Sequence, residues 1–292
     1  MMSFAEQMET YRAQVEKALE KYLPQGDCPQ AEVFDAARYS VGAGGKRIRP
    51  VLLLAFCEAL GGDTEKALPF AAAVEFLHTY SLIHDDLPCM DNDDMRRGKP
   101  SCHIQFGEAT ALLAGDGLLN LAFETMLSAC ADQRGTQAAA ILARASGMMG
   151  MIGGQVVDLQ SVDRPISEEL LLEMYRMKTG ELLAASCKMG VCLAGGTQEQ
   201  LSLASDYGFR VGLAFQIVDD ILDIYGDEKT LGKHTGSDWD NHKLTYAALH
   251  SRDGSVRKAK LLTDEALELL ERCCPDNTFL PELTEKLLNR VK

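Results

Sequence analysis

Apolar residues recur every three to four positions through most of the chain, the spacing that gives a helix one buried face. Alternation at every second residue, the mark of strands, is nearly absent. Between Gly, Pro and Asp punctuation the pattern predicts helices over about residues 3–22, 29–42, 48–60, 64–87, 104–131, 135–151, 168–193, 197–226, 240–249, 255–273 and 280–290. No linker-like or low-complexity tract separates them. The expectation is an all-α fold, one large bundle of about ten or more helices in a single domain over residues 1–292.

Composition narrows the setting. At 292 residues and 46% hydrophobic content, the chain can fill one large helical core. No uninterrupted apolar run approaches the roughly 18 residues of a membrane span, so an integral membrane protein is not expected. The N-terminus, MMSFAEQMETYRAQVEKALEKYL, is amphipathic and mixed in charge, a first structural helix rather than a signal peptide. A net charge of −14 argues against nucleic acid as a partner. Nine cysteines, odd in number and without a CxxC pair, suit neither a disulfide framework nor zinc; they point to a reducing cytoplasm.

The charge is not spread evenly. In LIHDDLPCMDNDDMRRG, Asp85, Asp86, Asp91, Asp93 and Asp94 follow an apolar helical run, and Pro88 ends that helix. Carboxylates at a helix C-terminus oppose its dipole by roughly 0.3–1 kcal/mol each. Either this is a solvated acidic turn or something positive is bound there. A second group favours the latter: in FQIVDDILD, Gln216, Asp219, Asp220 and Asp223 form one polar stripe on an otherwise apolar helix. Buried carboxylates at that spacing are costly unless they hold cations. Oxygen-only donors suit a hard ion, Mg2+, which completes its shell with substrate phosphates.

Basic residues cluster as well. YSVGAGGKRIRP departs from a Walker P-loop at Ser40 and Arg47 and follows no strand. It reads as a glycine-rich bend presenting Lys46, Arg47 and Arg49, either a surface turn or a phosphate grip. His78 lies two turns before Asp85 on the same face, and His84 on another. Asp116 sits in the apolar middle of its helix and needs a partner. Gln155 and Asp158 share a face, facing a cavity or bonding within the protein. Lys178-Thr179-Gly180 interrupts an apolar face, which predicts a kink. Residues 225–246 are polar and glycine-punctuated, either a solvated loop or part of a site.

DDLPCMD and DDILD resemble the two aspartate-rich motifs of the trans-prenyltransferases, the isoprenyl diphosphate synthases, and companion motifs in GGKRIRP, VEFLHTYSLIHDD, KTG and LGKHTGSD follow in the family's order. The resemblance implies an isoprenoid-synthase bundle around a central cavity, and a cytoplasmic homodimer. The reaction implied is head-to-tail condensation of isopentenyl diphosphate with dimethylallyl or geranyl diphosphate. It implies Mg2+, about three ions per site with Mn2+ as substitute, held by Asp85, Asp86, Asp91, Asp219, Asp220 and Asp223. By the same resemblance Gly45, Lys46, Arg49, His78 and Arg97 bind isopentenyl diphosphate, with Arg47 a weaker member. Arg96, Lys178, Thr179, Gln216, Lys233 and Lys243 meet the allylic substrate, the last two lysines by closing over it. Tyr80 and Ser81, five and four residues before Asp85, would set chain length. An aromatic floor and the Pro88–Cys89 insertion match the bacterial-type farnesyl (C15) pattern. A C20 synthase keeps every motif; a terpene cyclase is disfavoured by DDILD, and a non-catalytic diphosphate-binding subunit by the presence of both clusters.

Overall fold

The computed structural model describes residues 2–162, 164, 166–226 and 244–288. Helix α1 (Phe4–Tyr22) starts at a capping box in which the Ser3 hydroxyl accepts from the Glu6 amide and Glu6 accepts from the Ser3 amide. Its buried face, Tyr11, Val15, Ala18 and Leu19, keeps helical spacing. Next come α2 (Ala31–Val41), α3 (Ile48–Ala59) and α4 (Thr64–Asp85), the last capped by Asp63. From Phe70 to Leu77 every α4 side chain is buried, so α4 is enclosed on all sides rather than amphipathic.

Two predicted helices are divided. The stretch expected at 104–131 begins as α5 (Cys102–Phe106), breaks at Gly107 with φ +84°, and resumes as α6 (Glu108–Ala129). Before it lies a small hairpin, Met95–Arg96 paired with Lys99–Pro100, which the near-absence of strand pattern did not anticipate. Arg97 and Gly98 both take positive φ, as a two-residue hairpin turn requires. The stretch expected at 168–193 is α9 (Glu168–Tyr175), a π-helical turn (Arg176–Gly180) and α10 (Glu181–Ala194).

The segment expected at 135–151 is α7 (Gln133–Ser146), followed by a separate α8 (Met151–Ser161). Helix α8 was hidden by glycines, each costing a helix about 1 kcal/mol. Tertiary contact explains them: a Cβ on Gly154 would lie 2.4 Å from the Lys178 amide nitrogen, so only glycine lets α8 approach the π-helical turn. Among the described residues, Gln133–Ser161 reaches the length and mean hydropathy, 1.2, of a membrane crossing, but the chain turns at residues 147–150 and divides it in two.

Helix α11 (Gln198–Tyr225) has a second capping box, Thr197 with Gln200. After it are α12 (Tyr246–Leu249), α13 (Arg252–Cys273) and α14 (Phe279–Leu288). Across the bundle, α6, α4, α3, α10, α11 and α13 each pack on the next. A continuous apolar core runs from Val15 and Leu19 through Phe56, Phe70 and Phe76 to Tyr207 and Leu270.

Candidate active site

Helix α4 ends at Asp85, with Asp86 as its cap residue. The chain then curls back: the Asp91 amide donates to the Asp85 carbonyl at 2.9 Å, and Asn92, at φ 52°, donates to Leu87. The Pro88–Cys89 insertion thus brings Asp91 beside Asp85. Asp86 is buried and taken by Arg96, whose Nε lies 2.9 and 3.2 Å from its two oxygens; Arg96 Nη2 also donates to Asp93 at 3.1 Å. Burial pushes the Asp86 carboxyl upward, only partly countered by Arg96.

The hairpin delivers the next arginine elsewhere. Arg97 lies flat on Gly45 and donates to the Gly44 carbonyl. At φ +130° the backbone there favours glycine, and a Cβ would come within 2.7 Å of the guanidinium carbon, so Arg97 would have to shift. Arg97 and the glycine-rich bend thereby form one rim of a cavity of about 310 Å³. Its other walls include Lys46, Arg49, Glu75, His78 and, on the apolar side, Leu183, Val211 and Phe215.

This cavity is short of negative charge. Burial lowers the Arg49 pKa to about 10, with Glu75 opposing that shift and Arg97 adding to it. Arg49 Nε is buried without a hydrogen-bond partner among the described residues. Arg49 Nη1 stands 3.5 Å from His78 Nε2, and burial together with the surrounding arginines, Arg49 first, holds His78 well below the ordinary histidine range. A neutral His78 can accept there. Arg47 also lies in the cavity wall, but its guanidinium is taken up by Glu16 and Glu75.

Helix α8 and the π-helical turn carry the connection to the second acidic motif. Gln155 on α8 donates to Asp85, and Asp158, one turn later, receives Lys178 Nζ at 2.7 Å. Thr179 donates to Gln216 at 3.2 Å, and Gln216 donates to Asp220 at 3.3 Å. Asp220 is buried and also accepts from the Tyr175 hydroxyl (2.7 Å) and the Tyr246 amide (3.0 Å). DDLPCMD and DDILD are therefore joined through one face of α8 and the π-helical turn, and Asp158, Lys178, Thr179, Gln216 and Asp220 line a common cleft of about 70 Å³. Asp85, Asp91 and Asp219 are half-buried, whereas Asp223 is buried. Among the described residues no three acidic, His or Cys side chains converge tightly enough to enclose an ion. A hard, oxygen-only donor set that leaves the shell open fits Mg2+ carrying water and phosphate oxygens.

Tyr80 is buried on α4 and meets His84 edge to face at 5.4 Å; Ser81 donates to the His78 carbonyl at 2.8 Å. His84 lies 3.0 Å from the Leu112 carbonyl oxygen. Asp116, which needs a partner, lies 3.9 Å from His84, on a face of α6 that leaves its side chain 62% exposed. Lys233 and Lys243 lie outside the described residues. The sequence did not single out Tyr175 or Glu75, since a Tyr or Glu on a core helix carries no mark of its partner.

The polyprenyl synthetase family profile matches residues 30–273. The chain belongs to that family, the trans-isoprenyl diphosphate synthases. It is 43% identical over 281 residues to a farnesyl diphosphate synthase of Geobacillus stearothermophilus, covering 94% of each chain. It is 42% identical over 282 residues to a geranylgeranyl diphosphate synthase of Cyanophora paradoxa, covering 94% of this chain and 93% of that one. The structure of a Helicobacter pylori geranyltransferase complexed with magnesium and isoprenyl diphosphate superimposes with a TM-score of 0.85 at 33% identity, covering 99% of this synthase and 98% of that chain. The synthase is a prenyltransferase that catalyses head-to-tail condensation.

Proposed function

We propose that the synthase condenses isopentenyl diphosphate with dimethylallyl and then geranyl diphosphate to give (2E,6E)-farnesyl diphosphate. The observation that carries this reading is the pairing of an anion-seeking cavity around Arg49 with a separate acidic cleft reached through α8. The first is a seat for the diphosphate of isopentenyl diphosphate, gripped by Lys46, Arg49 and Arg97 with His78 as a neutral partner. Gly45 serves by admitting Arg97. The second holds the allylic diphosphate.

Asp85, Asp91 and Asp219 would hold Mg2+, which would neutralise charge on the leaving diphosphate. Asp86, Asp220 and Asp223, buried, and the first two already bound to protein donors, act by orienting their neighbours. Lys178 and Thr179 project from the π-helical turn, a distortion favoured at functional sites, and bear on the same diphosphate as Arg96, Lys233 and Lys243. The allylic C–O bond breaks, the isopentenyl double bond attacks the cation, a proton is lost, and the released diphosphate takes it. Leu183, Val211 and Phe215 keep water from the cation. Gln216 lies near the reacting double bond.

The buried Tyr80 ring supports C15 as the stopping point, with Ser81 beside it. A C20 product is the second reading, favoured by similar identity to a geranylgeranyl synthase. Exposed Leu112, Leu113 and Leu127 on α6 and Ile152, Val156 and Leu159 on α8 support a homodimer. Nine free thiols fit a reducing cytoplasm, and one continuous core fits a single domain. Chromatography of dephosphorylated products from radiolabelled isopentenyl diphosphate, geranyl diphosphate and Mg2+ tests the reading. Farnesol supports it; geranylgeraniol would overturn the chain length, and no Mg2+-dependent product the function.

A further inference from the structure

One wall of the basic cavity is an ion array. Arg47 is 3% exposed, and its guanidinium spans three helices. Nη1 donates to Glu75 on α4 at 2.7 Å, Nε and Nη2 to Glu16 on α1 at 2.7 and 3.3 Å, and Nη2 to the Val41 carbonyl of α2 at 2.7 Å. Arg47 also has left-handed backbone, φ 51° and ψ 34°, which an arginine adopts only when its surroundings compel it. It stands between the flexible Gly44-Gly45 pair and the first turn of α3. Its conformation therefore decides how Lys46 and Arg49, on either side, are aimed.

Glu75 holds the central position. Its side chain is 2% exposed, it lies one turn before His78 on α4, and it lines the same cavity. We propose that Glu75, acting through Arg47, is a positioning residue for the isopentenyl-diphosphate cavity: the pair pins the glycine-rich bend so that Lys46, Arg49 and Arg97 converge before the substrate arrives. Without Glu75, Arg47 loses its anchor on α4 and the bend its reason to remain left-handed at residue 47. Arg97, which rests on Gly44 and Gly45, moves with it. The allylic groups on α8, the π-helical turn and α11 are untouched.

The sign of the effect separates positioning from charge. A carboxylate acting through its charge alone repels an incoming diphosphate, so removing it would tighten binding; a positioning carboxylate gives the opposite result. The inference rests on the proposed substrate, so the test uses two readouts on Glu75→Gln, Arg47→Lys and the half-exposed Glu16→Gln, whose milder effect serves if a buried variant fails to fold. Arg47→Lys keeps the charge but cannot bridge two carboxylates and a carbonyl together. The KM for isopentenyl diphosphate is expected to rise about tenfold in the first two variants and about threefold in Glu16→Gln, with the geranyl diphosphate KM moving less than about twofold. Calorimetric titration with inorganic diphosphate without Mg2+ should show the same ranking. An unchanged or lowered isopentenyl KM, or equal change in both KM values, overturns the inference. If the wild type turns over neither substrate yet diphosphate affinity falls in this order, the proposed reaction fails and the positioning role stands; unaltered diphosphate affinity there overturns both.

Discussion

Lys178 and Asp158 hold one another across the cleft between the π-helical turn and α8, Nζ to Oδ2 at 2.7 Å. The lysine proposed for the allylic diphosphate thus rests on a mostly buried carboxylate and has to be shared with the substrate. Lys178→Met should lower turnover about 10²–10³-fold. It should also cost about 1–3 kcal/mol of stability, less than a fully buried pair because Lys178 is 27% exposed. Adding Asp158→Asn should restore the melting temperature and not the turnover. Recovery of activity in the double variant would show that the lysine serves the fold alone.

His78 makes stability depend on pH. Burial and the nearby arginines lower its folded pKa well below the unfolded value of about 6.5. As pH falls through that value the unfolded chain takes up the proton first, so this contribution is complete above about pH 6.5 and declines below it. His78→Gln should flatten the melting temperature between pH 7.5 and roughly 5.5. Parallel curves for variant and wild type would assign the acid sensitivity elsewhere.

The all-α class and most helix positions were legible in the sequence because apolar spacing is set by the core that α4, α10 and α11 enclose. The acidic motifs and the basic bend were legible because carboxylates beside apolar runs and cations on glycine-rich backbone have no cheap structural use. What stayed hidden depends on tertiary contact. The glycines of residues 147–158 read as allowing a close helix approach, but the bounds of α8 and its partner, the backbone of Lys178 against Gly154, do not show in the sequence. Arg47 reads like its neighbours Lys46 and Arg49 until Glu16 and Glu75 are seen to claim it. The sequence marks Lys178-Thr179-Gly180 as a break in regular helix, but not as a π-helical turn, which places both side chains over α8 and α11.

Tyr80 bears on product length. Its ring is 6% exposed and braced by His84. Tyr80→Ala should shift the main product from C15 to C20 or longer while retaining turnover. An unchanged C15 profile by chromatography of the dephosphorylated alcohols would remove Tyr80 as the floor.

Gln155 donates to Asp85 from the opposite helix and fixes one carboxylate oxygen. Gln155→Ala should raise the Mg2+ concentration for half-maximal rate about 10–100-fold, the usual cost of losing a group that orients a metal ligand. Thermal stability should change little. An unaltered Mg2+ requirement would leave the contact without a part in metal binding.

The central claim, that the two acidic motifs act together through Mg2+ on one diphosphate, is tested most directly by binding rather than turnover. An unreactive thiolo analogue of geranyl diphosphate, titrated calorimetrically into wild type, Asp85→Ala and Asp219→Ala, should bind tightly only with Mg2+ and only to the wild type. Binding that survives chelation, or that either variant retains at wild-type strength, would contradict it.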